Sequence, residues 1–549
     1  MYRKRERNLW LKKSAAIVTA SAMVMSVPVT AMAEGMTYCD REKAALKSLC
    51  ESLAKDWDAS LAQTKESGNN AKANITLKLN EAGQSMVGMM TQMDMSWLKS
   101  ISMDMDVSIA DSKEAVKAAF LLNDTNLCTM NVVMNWLEAL EYVQIPELSP
   151  SWMKASLDMT ADGEAVSAET MDAMMGLASD PAVLLPEGAT VSDLLDRYGN
   201  IVIDHMQEGA SVEESVSIEG ISEECTLLEG QIHEEDAKEM AKELLTTAQA
   251  DEQLQELLTK WSEAMPEAGD LNAQFQSFAE ETLADLESTD GTEESGSEYI
   301  ASRIWVNSED KIVGREIAVC EGVDTDAVFT WKASADGDAS ALMVDMQSEG
   351  SGFTLTGSSQ NTDGMENGNY SIAIDGVTIM EIAMENYDTK AAEEGYPSGT
   401  FTITFPQGQT EEEYNPLSMF SLVLSLASDK EDESGSVNLE VLSSGASLGV
   451  LTIQGAESAE AVEAVAAEDM GTIYDAASEE DMKAYEEEMS FDTILANAES
   501  AGVPAELITV LEQSIESAVT GETIETPAEE SALEEAPEET AELESEDAE

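Results

Sequence analysis

The sequence predicts an α+β protein built on a large curved antiparallel β-sheet, a half-barrel-like meander with an N-terminal helix, a central helical insertion and a disordered acidic C-terminal tail. Three observations predict this class. Apolar and polar residues alternate in two long blocks, as in half-buried strands. Helical apolar stripes precede and separate the blocks. Residues 521–549 contain thirteen acidic residues and no Lys or Arg, so they cannot bury enough surface to order themselves.

Composition limits the possible functions. The 549 residues include 28 Lys and Arg against 110 Asp and Glu, a formal net charge of -82, and 43% of positions are hydrophobic. A chain with this share of hydrophobic residues is not wholly unfolded. Nucleic acid is excluded as a natural partner, because its phosphates are repelled by this excess of negative charge.

Residues 1–33 are typical of a secretory signal peptide. Six basic residues precede an apolar run from Ala15 to Thr30, and Ala31-Met32-Ala33 supplies an A-x-A cleavage site. We expect cleavage after Ala33 and a secreted or extracytoplasmic mature chain with a net charge of -87. No later stretch offers the roughly 18 uninterrupted apolar residues of a membrane-spanning helix, so no membrane span is expected in the mature chain.

Residues 34–160 are predicted to form the N-terminal helix and the first antiparallel β region. The helical stripe comprises Leu46, Leu49, Cys50, Leu53, Trp57 and Leu61. The clearest strand runs from Ile101 to Ile109, with every second residue apolar. Two further strands are joined by a turn at Asn123-Asp124, and the second carries Cys128, Met130, Val132, Met134 and Trp136 at alternate positions.

The rest of the chain divides by the same patterns. Residues 161–298 form a mostly helical region with two short strands near 212–232 and an acidic linker at the end. Residues 299–455 form a second antiparallel β region of eight or nine strands, with a tight turn at Asp375-Gly376 and longer polar loops at Asn361–Asn369 and Asp429–Ser436. Residues 456–520 form C-terminal helices, capped at Ser478 and entered at Pro504. The two β regions are compatible with one sheet or with two.

Five cysteines follow the leader, an odd number that leaves at least one thiol unpaired. Buried free thiols are the simplest interpretation. If one disulfide forms, we expect it between Cys225 and Cys320, which both lie in strand-like segments. Cys39 and Cys50 share one helix at a separation of roughly 16 Å, too far apart for a disulfide.

The sequence contains no catalytic, cofactor-binding or metal-binding signature. The two histidines, His205 and His233, lack the second ligand of a zinc helix motif. Gly445-Ala446-Ser447-Leu448-Gly449 matches the nucleophile elbow of serine hydrolases, but strand patterns flank it and no His follows, so we interpret it as a hairpin turn. The many acidic residues leave a carboxylate-dependent hydrolase open as an alternative.

Methionine is abundant, with 27 residues after the leader and seven of them between Met86 and Met105. Flexible thioethers fill irregular cores and also line adaptable apolar binding surfaces. Because several of them alternate with polar residues along the predicted strands, we take five residues as candidate lining of an apolar ligand site: Met103, Met105, Met130, Met134 and Trp136.

The order of a helix, a long meander and a helical insert over Tyr38 to Gln454 resembles the half-barrel of LolA-type lipoprotein carriers and related mycobacterial lipoproteins. The resemblance implies a curved sheet that wraps a helix and takes apolar ligands on its concave side. The segment Tyr142–Ser149 and the hairpin Tyr299–Ile317 are also similar to uncharacterised secreted proteins of Gram-positive anaerobes. This chain departs from the lipoproteins because it lacks their lipid-anchoring cysteine.

Three functional hypotheses follow. The first is an exported, non-enzymatic binding protein that holds an apolar ligand or partner segment on the concave face of its sheet. The second is a polyanionic secreted or cell-surface scaffold that binds cationic peptides, cell-wall components or Ca²⁺ non-specifically. The third is a secreted hydrolase with carboxylate catalysis.

Overall fold

A computed structural model describes residues 37–66, 70–110, 113–136, 138–157, 185–264, 269–288, 298–321, 324–348, 351–407, 415–431, 433–458 and 461–520. The predicted leader at 1–33 and the predicted acidic tail at 521–549 lie outside these residues. The helices are α1 Tyr38–Glu66, α2 Glu81–Thr91, α3 Gly188–Asp204, α4 Glu234–Ala250, α5 Glu252–Ala264, α6 Leu271–Ser288, α7 Thr389–Glu393, α8 Glu479–Glu488, α9 Asp492–Ser500 and α10 Ala505–Thr520.

The strands of the first β region are β1 Asn70–Leu79, β2 Ser100–Ala110, β3 Lys113–Leu122, β4 Thr125–Asn135, β5 Leu140–Gln144 and β6 Trp152–Ser156, and the central hairpin is β7 Gln207–Ile218 and β8 Ile221–His233. The second β region comprises β9 Glu298–Asn307, β10 Ile312–Glu321, β11 Asp324–Asp336, β12 Ala339–Ser348, β13 Ser351–Thr362, β14 Met365–Ile374, β15 Val377–Asp388, β16 Gly399–Thr404, β17 Phe420–Asp429, β18 Ser434–Ser443 and β19 Ala446–Glu457, and β20 Ile473–Asp475 follows. Short 3-10 helices occupy Pro416–Met419 and Ala467–Asp469.

Within the described residues, the twenty strands form one open, curved sheet, so the predicted fold class is confirmed. The spatial order runs from β7 through β8 and β9 to β19, then β1 to β6, and ends at β20. All neighbours are antiparallel except β6 and β20. The two β regions join where β1 pairs with β19, with Ile75 opposite Ile453. They are therefore one sheet.

Each face of the sheet has its own chemistry. We call the face that carries Phe329, Leu424 and Ile75 the apolar face. The opposite face, which carries the next residues Thr330, Ser425 and Thr76, is the polar face. The two faces arise from the period-two pattern of every strand, and the cross-strand registers keep like residues in line. Threonine suits the polar face because it combines a branched β-carbon with a hydroxyl.

Helices cover the apolar face at one end of the sheet. There α1, α3 and α4 pack against β8 to β11, and the core includes Ile232, Ile300, Ile304, Ile317 and Met240, none of which is more than 2% exposed. Strand β10 places Arg315 beneath α1, where its guanidinium is paired with the carboxylate of Glu42 and both side chains are 1% exposed. The N-terminal helix is thus fixed to the sheet by apolar packing and one buried ion pair.

The same end of the sheet curls toward its polar face. The hairpin β7–β8 lies against β11, β12 and β13, and Val216, Ile218 and Cys225 pack there with Trp305 and Ala341. At the other end, the chain after β19 crosses the polar face: the Val462 amide donates to Ser108 Oγ over 2.6 Å. Met470 then packs against Val133, Tyr142 and Trp152.

The structure corrects three local predictions. The second β region contains eleven strands, not eight or nine. Asn361–Asn369 is not a long loop, because β13 and β14 continue through it and only Asp363 and Gly364 form the turn. The loop predicted at Asp429–Ser436 is shorter than expected, because β17 continues to Asp429 and β18 begins at Ser434. Polar residues such as these are typical of loops, but here cross-strand pairing holds them in the sheet.

The expected disulfide is also wrong, since neither Cys225 nor Cys320 is part of a disulfide in the structure. Cys225 is paired across the ladder with Asn307, and Cys320 with Tyr299. These partners lie eight residues apart on β9, a distance of about 26 Å along a strand, far beyond disulfide reach. Burial, followed by the charge of Glu223, raises the pKa of Cys225 to about 11, so its thiol stays protonated at neutral pH.

Candidate functional site

The central part of the apolar face is an uninterrupted set of large apolar side chains. Two neighbouring rows run across the strands, each residue directly opposite the next. The first row, from β15 to β3, is Met384, Phe401, Leu424, Leu439, Leu451, Leu77, Ile101 and Leu122. The second, from β17 to β4, is Leu426, Val437, Ile453, Ile75, Met103, Phe120 and Cys128. We refer to them as the apolar rows.

The apolar rows are most exposed in their central part, on β18, β19, β1 and β2, whereas Met384 at the β15 end is buried. Leu77 is 37% exposed, Ile101 49%, Val437 37% and Ile453 44%. An isolated exposed leucine is ordinary on a protein surface, whereas a contiguous patch of this kind marks an interaction surface. The same face is covered by helices at β8 to β12, through Phe329, Trp331 and Val344. The apolar rows therefore continue a face that already serves as a helix-packing surface.

The five residues predicted to line a ligand site are brought partly together. Met103 lies in the second apolar row, and Met105 and Met130 lie on the adjacent row, on either side of Ala118. Met134 is on the same face, two rows further along β4, and Trp136 follows the end of that strand. All five side chains are half-buried.

The surroundings of these methionines differ from one to the next. Ala118 is only 2% exposed, because the longer side chains of Met105 and Met130 flank it. Met134 is directly opposite Glu114 on one side and Glu141 on the other. Burial raises the pKa of Glu114. The apolar character of the face therefore weakens toward Met134, and Met103 is the predicted residue best placed within the exposed patch.

A second methionine surface lies on helix α2, at the end of strands β1 and β19. Met89 is 75% exposed and Met90 77%. Asn80 caps the helix, because its Oδ1 accepts hydrogen bonds from the amides of Ala82 and Gly83. A cleft of about 520 Å³ lies between this helix and the segment that follows, with Met89, Met93 and Met95 in its walls.

The part of the sequence that supplies β15 to β19 is strongly acidic. From Ala333 to the C-terminus the sequence contains fifty acidic residues against only three basic ones, Lys390, Lys430 and Lys483. Among the described residues, some of these acids lie in turns, as at Asp363 and Asp375. At the end of β18 and β19 two carboxyl groups meet, and the hydrogen bond and charge of Glu457 raise the pKa of Glu433.

The polar face holds an ion-pair row beneath the curled end of the sheet. Arg303 Nε donates to Glu229 Oε2 and its Nη1 to Glu316 Oε1, both over 2.6 Å. Although burial opposes the charged form, these two hydrogen-bonded carboxylates raise the pKa of Arg303. Beside this row the Lys332 ammonium lies 3.7 Å from the centroid of the Trp305 ring. Glu229 and Glu316 are thus held by one cation, an arrangement that fixes strand register.

The remaining candidates for catalysis make contacts that are typical of residues with a structural role. His205 Nε2 lies 2.8 Å from Glu243 Oε2 between α3 and α4. His233 precedes α4, and its ring packs against Tyr299. Ser444 and Gly445 form the two-residue turn between β18 and β19, both at positive φ, which confirms the hairpin interpretation of the G-x-S-x-G match.

The described residues contain neither a metal-binding cluster nor a membrane-spanning helix. In the ranges that the structure describes, no group of three or more His, Cys, Asp or Glu side chains is arranged to hold a metal ion. No helix among those residues combines the length and apolar character needed to cross a membrane.

Sequence reasoning missed most of the apolar rows. The signal was present, because Phe401 and Ile403 alternate in β16 and Leu422, Leu424 and Leu426 alternate in β17. The sequence pattern gave no information on the pairing of β1 with β19, which places the predicted methionines beside those leucines.

Comparison with known proteins adds no assignment: no protein-family model matches the chain, and no curated protein matches it.

Proposed function

We propose that this chain is an extracytoplasmic, non-enzymatic binding protein, and that the apolar rows take a cationic amphipathic helix from a partner. The observation that carries the proposal is the continuity of apolar side chains across eight strands, exposed on β18, β19, β1 and β2, on the same face that packs helices at its other end. The signal-like leader predicted at residues 1–33 supports export.

The dimensions favour a helix as the bound element. Seven strand spacings separate β15 from β3, a length of about 34 Å across the ladder. A helix of roughly 22 residues has this length. Helix α1 already lies on the apolar face beside Ile232 and Ile300, so a helix supplied by a partner extends an existing layer.

Charge selects the kind of helix. The chain has a formal net charge of -82, so an acidic partner is repelled and a basic one attracted. A helix with leucine on one side and lysine on the other meets both requirements. Binding of such a helix depends on both the apolar surface and the negative charge of the chain. Binding to a purely polyanionic scaffold depends on the negative charge alone.

The test uses a 22-residue Leu/Lys peptide designed as an amphipathic helix. Fluorescence anisotropy compares it with a scrambled peptide of the same composition and with a Leu/Glu analogue. We expect the amphipathic Leu/Lys peptide to bind most tightly. Ile453→Asn and Leu77→Asn should each weaken binding roughly threefold to tenfold, because each removes part of an apolar contact.

Ser371→Asn, on the polar face of β14, is the matched control and should leave affinity unchanged. Equal binding of the scrambled peptide, lost at physiological salt, would favour the polyanionic scaffold instead. The proposal would be overturned if neither Ile453→Asn nor Leu77→Asn changed the affinity for the Leu/Lys peptide.

A further inference from the structure

A separate groove lies on the polar face, across β17, β18, β19, β1 and β2. Its volume is about 780 Å³, within the range of small-molecule binding clefts. Because four strand spacings separate its outer strands, it extends about 19 Å across the ladder. The charged residues of its lining are Lys72, Asp104, Asp106 and Asp429.

The walls of the groove are two polar rows. Asn74, Gln454 and Ser436 are directly opposite one another in one row. Lys72, Ala456 and Ser434 form the other. The residues between the rows, such as Gly435 and Gly455, turn their α-carbons to the apolar face, so that backbone forms the floor.

The charged groups of the groove are partly engaged with each other. The Asn74 amide donates to Asp104 Oδ1 over 2.5 Å, and Lys72 Nζ lies 3.7 Å from Asp106 Oδ1. In contrast, the side chains of Gln454, Ser434 and Ser436 form no hydrogen bond with any residue that the structure describes. The donors and acceptors left for a ligand are therefore mainly neutral amide and hydroxyl groups.

This lining discriminates among ligand classes. Three aspartates against one lysine repel anions. The lining contains no aromatic ring for a flat base, and its one large apolar residue, Met105, points to the other face, so an acyl chain finds little to contact. We propose that the groove binds a neutral, hydroxyl-rich, elongated ligand, of the class of linear oligosaccharides. This site is independent of the apolar rows.

The experiment is calorimetric titration of the full chain with neutral linear hexasaccharides: maltohexaose, xylohexaose, mannohexaose and chitohexaose. At least one should bind. Gln454→Ala and Ser436→Ala should each lower its affinity about threefold to tenfold, the effect of a lost neutral hydrogen bond. Ser436→Trp fills the groove and should abolish binding.

Gln360→Ala is the matched control, an exposed glutamine on the polar face of β13 outside the groove. Circular dichroism checks that every variant keeps its strand content. Failure of all four hexasaccharides to bind overturns the proposal. The proposal is also overturned if Ser436→Trp leaves hexasaccharide binding intact. Salt-sensitive binding of a lysine-rich peptide in the groove would overturn it as well.

Discussion

At the scale of single residues, the Arg315–Glu42 pair shows how the N-terminal helix is held. Arg315 Nε, Arg315 Nη2 and Glu42 Oε2 have no hydrogen-bond partner among the described residues. Such a buried pair contributes little net stability, yet removal of one member leaves an uncompensated charge in the core. Its main effect is to fix the position of α1 on the sheet.

Arg315→Met should therefore destabilise the protein by about 3–5 kcal/mol, measured by urea unfolding. The double variant Glu42→Leu/Arg315→Met should be less destabilised than either single variant. Lys43→Met, which breaks the exposed pair with Asp204, is the control and should cost at most about 1 kcal/mol. A double variant as unstable as the sum of the two singles would contradict this account.

Glu208 gives α1 a pH-dependent contact. Its carboxylate accepts hydrogen bonds from the amides of Tyr38 and Cys39, at the N-terminus of the helix. Partial burial acts to raise its pKa, but these hydrogen bonds, with one from Thr37, outweigh that effect and lower the pKa of Glu208. The folded state therefore favours the charged carboxylate, as expected beside a helix N-terminus.

Because the folded pKa is lowered, the stabilisation is present above the ordinary pKa of a glutamate and is lost as the pH falls through the folded value. Glu208→Gln should lower the urea midpoint at pH 7 by the equivalent of at most about 1 kcal/mol. The midpoints of variant and wild type should converge toward pH 3. Glu213→Gln, on the same strand, is the control. A gap that stays constant with pH would count against this role.

At the scale of elements, helix α2 depends on a glycine. A β-carbon on Gly83 would lie 1.9 Å from the carbonyl oxygen of Leu448. Only glycine at this position therefore allows the helix to approach β19 so closely. The contact also positions the exposed Met89 and Met90.

Gly83→Ala should displace α2 and destabilise the protein by roughly 1–3 kcal/mol, although alanine is the better helix former. Hydrogen-exchange mass spectrometry should show faster exchange across Glu81–Thr91. Ser85→Ala, on the exposed side of the same helix, should leave exchange unchanged or slower. Unaltered protection in Gly83→Ala would show that the helix can shift without cost.

Elements were predictable where pattern and turn chemistry agree. The strand β2 and the turn Asn123-Asp124 were predicted from alternation and residue type, and both turn residues have positive φ in the structure. The loop predicted at Asn361–Asn369 was wrong because most strand residues of this segment are polar, whichever face they occupy. There the cross-strand pairing of β13 with β14, invisible in a local window, determines the structure.

At the scale of the whole molecule, the pairing of β1 with β19 is the decisive contact. It joins Leu77 to Leu451, far apart in sequence, and makes two β regions one sheet. Local periodicity carries no information on which distant strands pair. The faces of the candidate site were therefore predictable strand by strand, while its extent across eight strands was not.

The exposed apolar rows and the large negative charge act against each other in solution. Like-charge repulsion keeps molecules apart at neutral pH, whereas the sequence has a pI of about 4.1, where this repulsion disappears. We expect reversible self-association near pH 4, seen by light scattering. The double variant Val437→Asn/Ile453→Asn should associate less, and the Ser371→Asn control should not differ from wild type. Equal association of all three would mean that another surface is responsible.

The two margins of the open sheet differ from its centre. At one margin β7 carries Glu208, Glu213 and Glu214 and folds over toward β11 to β13, and at the other β20 is only three residues long. Acidic, bent or very short outer strands discourage the addition of further strands from other molecules. Growth into a fibre along the hydrogen-bonding direction is thereby opposed at both ends, despite a ladder of twenty strands.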